Sequence, residues 1–188
     1  MIVAVYGGAF SPPHVGHAMV ISWVLSTGLA DTVTMVPSRD HPFGKSMAPF
    51  DDRVDFCEAL VRDMGLHRGL VTVSRIEATQ PAPNYSIHLL RTLRSISPQR
   101  DRFRFVMGAD NLAARDRWHG FEEIIEEFAP IFVGRAGAPR PAEIMSPDFP
   151  DVSSTEIRER LRAGLPVNHL LTKSVRALCE QRRCYSDG

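Results

Sequence analysis

Gly7-Gly8-Ala9-Phe10-Ser11-Pro12-Pro13-His14-Val15-Gly16-His17 is the stretch on which the reading of this chain turns. An apolar, strand-like segment, Ile2-Val3-Ala4-Val5-Tyr6, leads into it, and an apolar, helix-like segment from Val15 to about Leu25 follows. The stretch therefore occupies a strand-to-helix crossing. Glycines at such a crossing let the backbone turn tightly and approach a ligand, while a helix start offers unpaired N–H groups and partial positive charge to an anion. His14 and His17, three apart in the first turn, share one face. The expectation is a phosphate site.

Outward from this crossing the alternation repeats. Asp31–Val36 reads as a second strand stopped by Pro37-Ser38, and Leu70–Ser74, Arg102–Met107 and Ile131–Val133 as three more. Between them, Phe50–Arg62 puts Phe50, Val54, Cys57, Leu60 and Val61 on one helical face. A helix carrying Ile87, Leu90 and Leu93 follows the break at Pro81-Ala82-Pro83-Asn84, and Trp118–Glu127 is expected to be partly helical. His41–Ser46, with Lys45, is a strand-to-helix loop, and Gly134–Pro150, interrupted by Pro139, Pro141, Pro147 and Pro150, reads as a long surface loop. Ser153 is placed as the N-cap of a further helix, with Glu156 at the third position of a capping box; Gly164-Leu165-Pro166 ends it, and Thr172–Arg183 forms a last amphipathic helix. Such alternation argues for an α/β fold: a Rossmann-like, doubly wound, mainly parallel sheet with helices on both faces. Ligands then bind beyond the carboxyl ends of the strands. Gly7–His17, Lys45 and Gly108–Asp110 all follow predicted strands and converge on that edge.

The 188 residues fit one domain, with the helical part at about 153–184 packed on it. Lys and Arg number 22, as do Asp and Glu, so a general nucleic-acid-binding role has no electrostatic support and a small anion is the favoured partner. Cys57, Cys179 and Cys184 show no metal-like spacing and are read as structural thiols of a reducing cytoplasm. No basic leader precedes the first strand, and no apolar run approaches the roughly 20 residues that span a bilayer. A cytoplasmic protein without a membrane partner is expected.

The opening stretch lacks the third glycine of a dinucleotide fingerprint and the Gly-Lys-Ser/Thr of a Walker loop. What it contains is His14-Val15-Gly16-His17 preceded by Gly7-Gly8-Ala9-Phe10-Ser11-Pro12, and much later Ser153-Ser154-Thr155-Glu156-Ile157-Arg158. These resemble the His-x-Gly-His and Ser-Ser-Thr-x-Ile-Arg signatures of the nucleotidyltransferase superfamily. Gly108–Ala113 with Arg117-Trp118-His119, Asn84-Tyr85-Ser86-Ile87 and Leu161-x-x-Gly164-x-Pro166 resemble the bacterial nicotinate-nucleotide adenylyltransferases nearly end to end. Ala9 stands where that family usually has Thr, Ser11 where it has Asp, and His88 where an Asp is common.

The resemblance implies transfer of AMP from ATP to nicotinate mononucleotide, giving deamido-NAD and pyrophosphate, with Mg2+ bridging the ATP phosphates and no protein metal site. It implies an ATP site at Gly7, Gly8, Ala9, Phe10, His14, Gly16 and His17, completed by Ser153, Ser154, Thr155 and Arg158, with Gly108 and Asp110 toward the ribose and adenylate. His14, His17, Lys45 and Arg158 would be the catalytic set, Lys45 and Arg158 facing phosphates. Trp118 would stack on the nicotinate ring, while Ser86 and His119 would receive its carboxylate. Three other readings stand beside this one: a sister enzyme acting on nicotinamide mononucleotide, phosphopantetheine or another phosphorylated acceptor; a non-catalytic nucleotide sensor; and a zinc site at the two histidines.

Overall fold

A computed structural model of the chain describes residues 1–40, 47–137, 144 and 146–185. Strand β1 (Ile2–Gly8) lies between β2 (Thr32–Pro37) and β4 (Arg102–Gly108); Val5 pairs with Thr34 on one side and Phe105 on the other, both in parallel. Beyond β2 comes β3 (Val71–Val73), and beyond β4 come β5 (Ile131–Arg135) and β6 (Asp148–Phe149). The described strands make one parallel sheet in the order β3-β2-β1-β4-β5-β6. This is the doubly wound order, whose direction of winding reverses between β1 and β4 and opens a crevice past their carboxyl ends.

Why both sheet faces are apolar follows from the alternation within β1. Ala4 joins a core with α1 (Val15–Ser26), α2 (Phe50–Asp63), α6 (Ser154–Arg162) and α7 (Lys173–Arg182), to which Val24, Phe56, Ile157 and Val175 contribute. Val3 and Val5 face the opposite core, built from Ile87 and Leu90 of α3 (Ser86–Ile96) and Phe121 and Ile124 of α5 (Phe121–Phe128), with the short α4 (Asp110–Ala113) following β4. A strand covered on both sides has no polar face, hence the continuous apolar run. Fully burying a side chain such as that of Val5, which is 0% exposed, contributes about 1.5–3 kcal/mol.

Two sequence expectations need correction here. The span 134–150 is not loop throughout: Asp148 and Phe149 pair in parallel with Gly134 and Arg135. Two residues flanked by prolines carry no alternation from which a strand is legible. Also, the turn after β1 is not made by its glycines, since Gly7 and Gly8 remain paired with Val36 and Pro37. The left-handed residue is Phe10, with φ of 46°. A non-glycine residue there costs on the order of 1–3 kcal/mol, opposed in this case by the burial of its ring against Tyr6 and His17. Gly7 and Gly8 instead keep the strand end bare, because a Cβ on Gly8 would lie 3.2 Å from the Phe10 ring.

Candidate active site

At the carboxyl edge of the sheet, past the β1–β4 switch point, lies a cleft of about 280 Å³. His14, Gly16 and His17 form one wall, Gly108 and Asp110 another, and Arg135 a third. His14 is the N-cap of α1 and His17 sits one turn in, with ring centroids 3.8 Å apart. His17 Nδ1 accepts the His14 backbone N–H at 3.0 Å. That bond leaves Nδ1 without a proton in the neutral ring and assigns the only N–H to Nε2. His14 Nδ1 is buried and has no hydrogen-bond partner among the described residues. Gly16 lets the ring sit close beneath the chain, for a Cβ there would come within 3.1 Å of that nitrogen and the ring would have to give. At Gly108 a Cβ would overlap the Asp110 carboxylate, so this glycine lets Asp110 fold back over the end of β4.

Both imidazoles are held neutral. Burial first, then the Arg135 guanidinium, pushes His14 down to about 4; burial, then His14 and Arg135, holds His17 well below the usual histidine range. Each therefore binds protons less readily folded than unfolded, so stability increases with pH between the folded and unfolded pKa values. As pH falls from about 6.5 toward 4, the free protein should lose about 1.4 kcal/mol per unit for each such group. Thermal unfolding from pH 7.5 to 4.5 should show a declining Tm, and His14→Gln should flatten the decline. An unchanged slope in that variant would refute the assignment.

The second signature meets the first directly. Arg158 Nη1 donates to Ser11 O at 2.8 Å, and Ser154 Oγ donates to Pro12 O at 2.9 Å, clamping the start of α6 onto the β1–α1 loop. Ser153 caps α6 as expected, its Oγ accepting Glu156 N–H at 3.1 Å. The return half of the expected capping box is replaced: Glu156 Oε1 accepts from Arg160 Nε at 2.9 Å. Thr155 Oγ1 accepts from Arg158 Nη2 at 3.2 Å. These hydroxyls fasten the helix, leaving the backbone N–H groups of Ser154 and Thr155 as its offering to an anion.

A separate group gathers about α3. Ser86 is the first residue of that helix, and the His119 ring stacks on Tyr85 at 4.1 Å with His88 5.7 Å away. Trp118 is half-buried with its edge toward Phe105 at 6.1 Å. Phe105 in turn lies 3.3 Å from where a Gly7 Cβ would be, which links this group to the end of β1. Ser86, Trp118 and His119 do not line the cleft itself, nor does Arg158, and Lys45 lies outside the described residues.

Sequence reasoning missed Arg135 and Arg53. Arg135 ends β5 and lies within 3.7 Å of Asp151; its position after a strand was the available signal. Arg53 is 1% exposed and donates to Ala9 O at 2.8 Å, Ala48 O at 2.9 Å and Arg39 O at 3.2 Å, so that one guanidinium pins the β1–α1 loop. Residues 5–160 match the model of the cytidylyltransferase-like family. The chain belongs to that family.

Within this cytidylyltransferase-like family, the chain is 37% identical to a protein of Anaeromyxobacter dehalogenans named as a nicotinate-nucleotide adenylyltransferase, over 97% of this chain and 96% of that one. A Myxococcus xanthus protein of the same name is 35% identical over 97% and 94%. A crystal structure named for the same activity, from Vibrio parahaemolyticus, superposes with a TM-score of 0.76 at 26% identity, covering 100% of this chain and 96% of its own. The nicotinic acid mononucleotide adenylyltransferase of Plasmodium falciparum, solved with NaAD, shares the fold with a TM-score of 0.81 at 18% identity, over 98% and 97%. Among the described residues no helix is long and apolar enough to cross a membrane, and no three or more His, Cys, Asp or Glu side chains gather as metal ligands. The zinc reading thus finds no third ligand there.

Proposed function

We propose that this nucleotidyltransferase moves AMP from ATP to nicotinate mononucleotide, forming deamido-NAD and releasing pyrophosphate. The bonding of Arg158 and Ser154 to the Ser11-Pro12 backbone carries this reading, because it unites two helix starts on one phosphate-sized loop. The 5′-phosphate of the acceptor attacks the α-phosphorus in line, and no covalent enzyme intermediate is needed. Catalysis then comes from positioning two anions and stabilising charge on the α-phosphate and the departing pyrophosphate. Neutral His17 donates its Nε2–H to a phosphate oxygen, and His14 contributes its buried imidazole beside it. Arg158 and Lys45 face the β- and γ-phosphates, with Arg135 supplying a further positive charge. Gly108 and Asp110 receive the ribose and adenylate.

The cleft presents nitrogen donors and, among its lining residues, the single carboxylate of Asp110, a set suited to phosphate oxygens. Mg2+ bound together with ATP would be held by the phosphates and by water, and would supply neutralisation of their charge. At the second group, Trp118 stacks on the pyridine, while Ser86 at the start of α3 and His119 receive the carboxylate; the positive end of α3 favours the acid over the amide.

Purified protein given ATP and Mg2+ should release pyrophosphate with nicotinate mononucleotide and much less with the amide. Preference for the amide would overturn the substrate assignment, and nucleotide binding without turnover would favour the sensor. Trp118→Ala should raise KM for the mononucleotide roughly tenfold, the scale of one aromatic–base stack, with KM for ATP nearly unchanged. Equal shifts in both constants would count against stacking.

A further inference from the structure

Ser11 of the β1–α1 loop is bonded to a residue beyond α7. Ser11 is 1% exposed and Tyr185 is 5% exposed, and their hydroxyl oxygens lie 3.0 Å apart. The same Ser11 Oγ accepts Ala48 N–H at 3.1 Å, just before α2, while the Ser11 carbonyl accepts from Arg158. One residue of the phosphate loop is thereby tied to α2, to α6 and to the segment after α7.

That last segment is built to deliver its hydroxyl. Arg183 takes a left-handed conformation, φ 49°, and ends α7 by turning the chain back. α7 is anchored along α2 by Arg182 to Asp52 and Asp55 and by Ser174 to Asp63. The Tyr185 ring packs near Phe56, at 6.4 Å between centroids, within the core. An aromatic ring needs only the core for its burial, whereas a buried hydroxyl must find a partner. Here the partner is Ser11, in the loop whose carbonyl accepts from Arg158 of α6. The single Ser11 hydroxyl meets both the Ala48 N–H and the Tyr185 hydroxyl, so the tyrosine fixes the direction in which it points.

We infer that Tyr185 is a positioning residue for adenylyl transfer, holding the Ser11 hydroxyl so that the Ser11 carbonyl keeps Arg158 aligned with the phosphates. It touches no substrate, and its effect passes through Ser11. The inference rests on the proposed activity, and the wild-type protein tests that activity separately.

Tyr185→Phe keeps the ring and removes only the hydroxyl. The expected result is a fall in kcat of about tenfold, with KM for the mononucleotide within about twofold, since misalignment acts on the transition state. Ser11→Ala, which also removes the acceptor of the Ala48 N–H, should lower kcat at least as much, and the double variant should lose little more than Ser11→Ala, because the Tyr185 hydroxyl acts only through Ser11. Thermal unfolding of each variant, measured beside the kinetics, keeps the assays below the unfolding range. An unchanged kcat in Tyr185→Phe, or losses that multiply in the double variant, would overturn the inference. So would a rise in KM for both substrates with kcat unaltered. Wild-type protein silent with both the acid and amide mononucleotides would sink the proposed activity and this inference with it. Wild-type activity on the amide alone would move only the substrate, and the variant ratios would then be read on that acceptor.

Discussion

His17→Ala lowers kcat by roughly 10²–10³-fold, the scale of losing one preorganised donor at a developing oxyanion, while ATP affinity falls by less than about tenfold. The asymmetry follows from the state of the ring. Burial, His14 and Arg135 keep His17 uncharged, so it attracts the ground-state triphosphate weakly. Its Nε2–H becomes more valuable when charge grows on the transferring phosphate. The same substitution also removes the acceptor of the His14 N–H, which costs about 1 kcal/mol of stability at the start of α1. Two further variants separate these effects. His17→Asn can return an acceptor near Nδ1 and should recover stability without recovering turnover. His17→Gln reaches the Nε2 position and should recover part of the turnover. Pyrophosphate release and calorimetric ATP binding decide the matter: equal loss of turnover and affinity in His17→Ala, or no loss in either, would exclude a transition-state role.

The parts of this arrangement legible in the sequence are those written in short range. β1, α1 and the His14/His17 spacing follow from local patterning, and the Ser153 cap follows from one side chain reaching one N–H. The convergence of Gly7–His17 with Gly108–Asp110 required one topological rule more, that parallel strands end on the same edge. What stayed hidden depends on contacts across the chain. The part played by Ser11 is hidden until Tyr185, 174 positions away, is seen bonded to it. Phe10 gives no local sign of its left-handed backbone, because what holds it there is the packing of its ring against Tyr6 and His17. β6 is too short for periodicity, and its identity rests on pairing with β5. Arg53 was hidden for another reason: an arginine on an amphipathic helix ordinarily belongs to the solvent face.

Arg53→Met should destabilise the protein by about 3–5 kcal/mol, lowering Tm by roughly 10 °C, and should impair turnover as well. The guanidinium donates to three carbonyls from different segments, Ala9 in the β1–α1 loop, Arg39 after β2 and Ala48 before α2. Methionine fills similar volume yet leaves those acceptors without their donor. It also removes the positive charge near Glu77, which is 5% exposed and whose Oε2 accepts Arg39 N–H at 2.8 Å. Burial already raises the Glu77 pKa, and losing Arg53 raises it further. The variant should therefore favour a protonated Glu77 and weaken the hold on Arg39 from a second direction. Arg53→Lys tests whether charge alone suffices. A single ammonium cannot span three diverging carbonyls as a planar guanidinium does, so most of the loss should remain. Activity should fall at temperatures where both variants are still folded, because the Ala9 carbonyl is one of the points at which the core grips the β1–α1 loop. A loss of less than about 1 kcal/mol in Arg53→Met, or full activity with the lower Tm, would show that Arg53 does not set that loop.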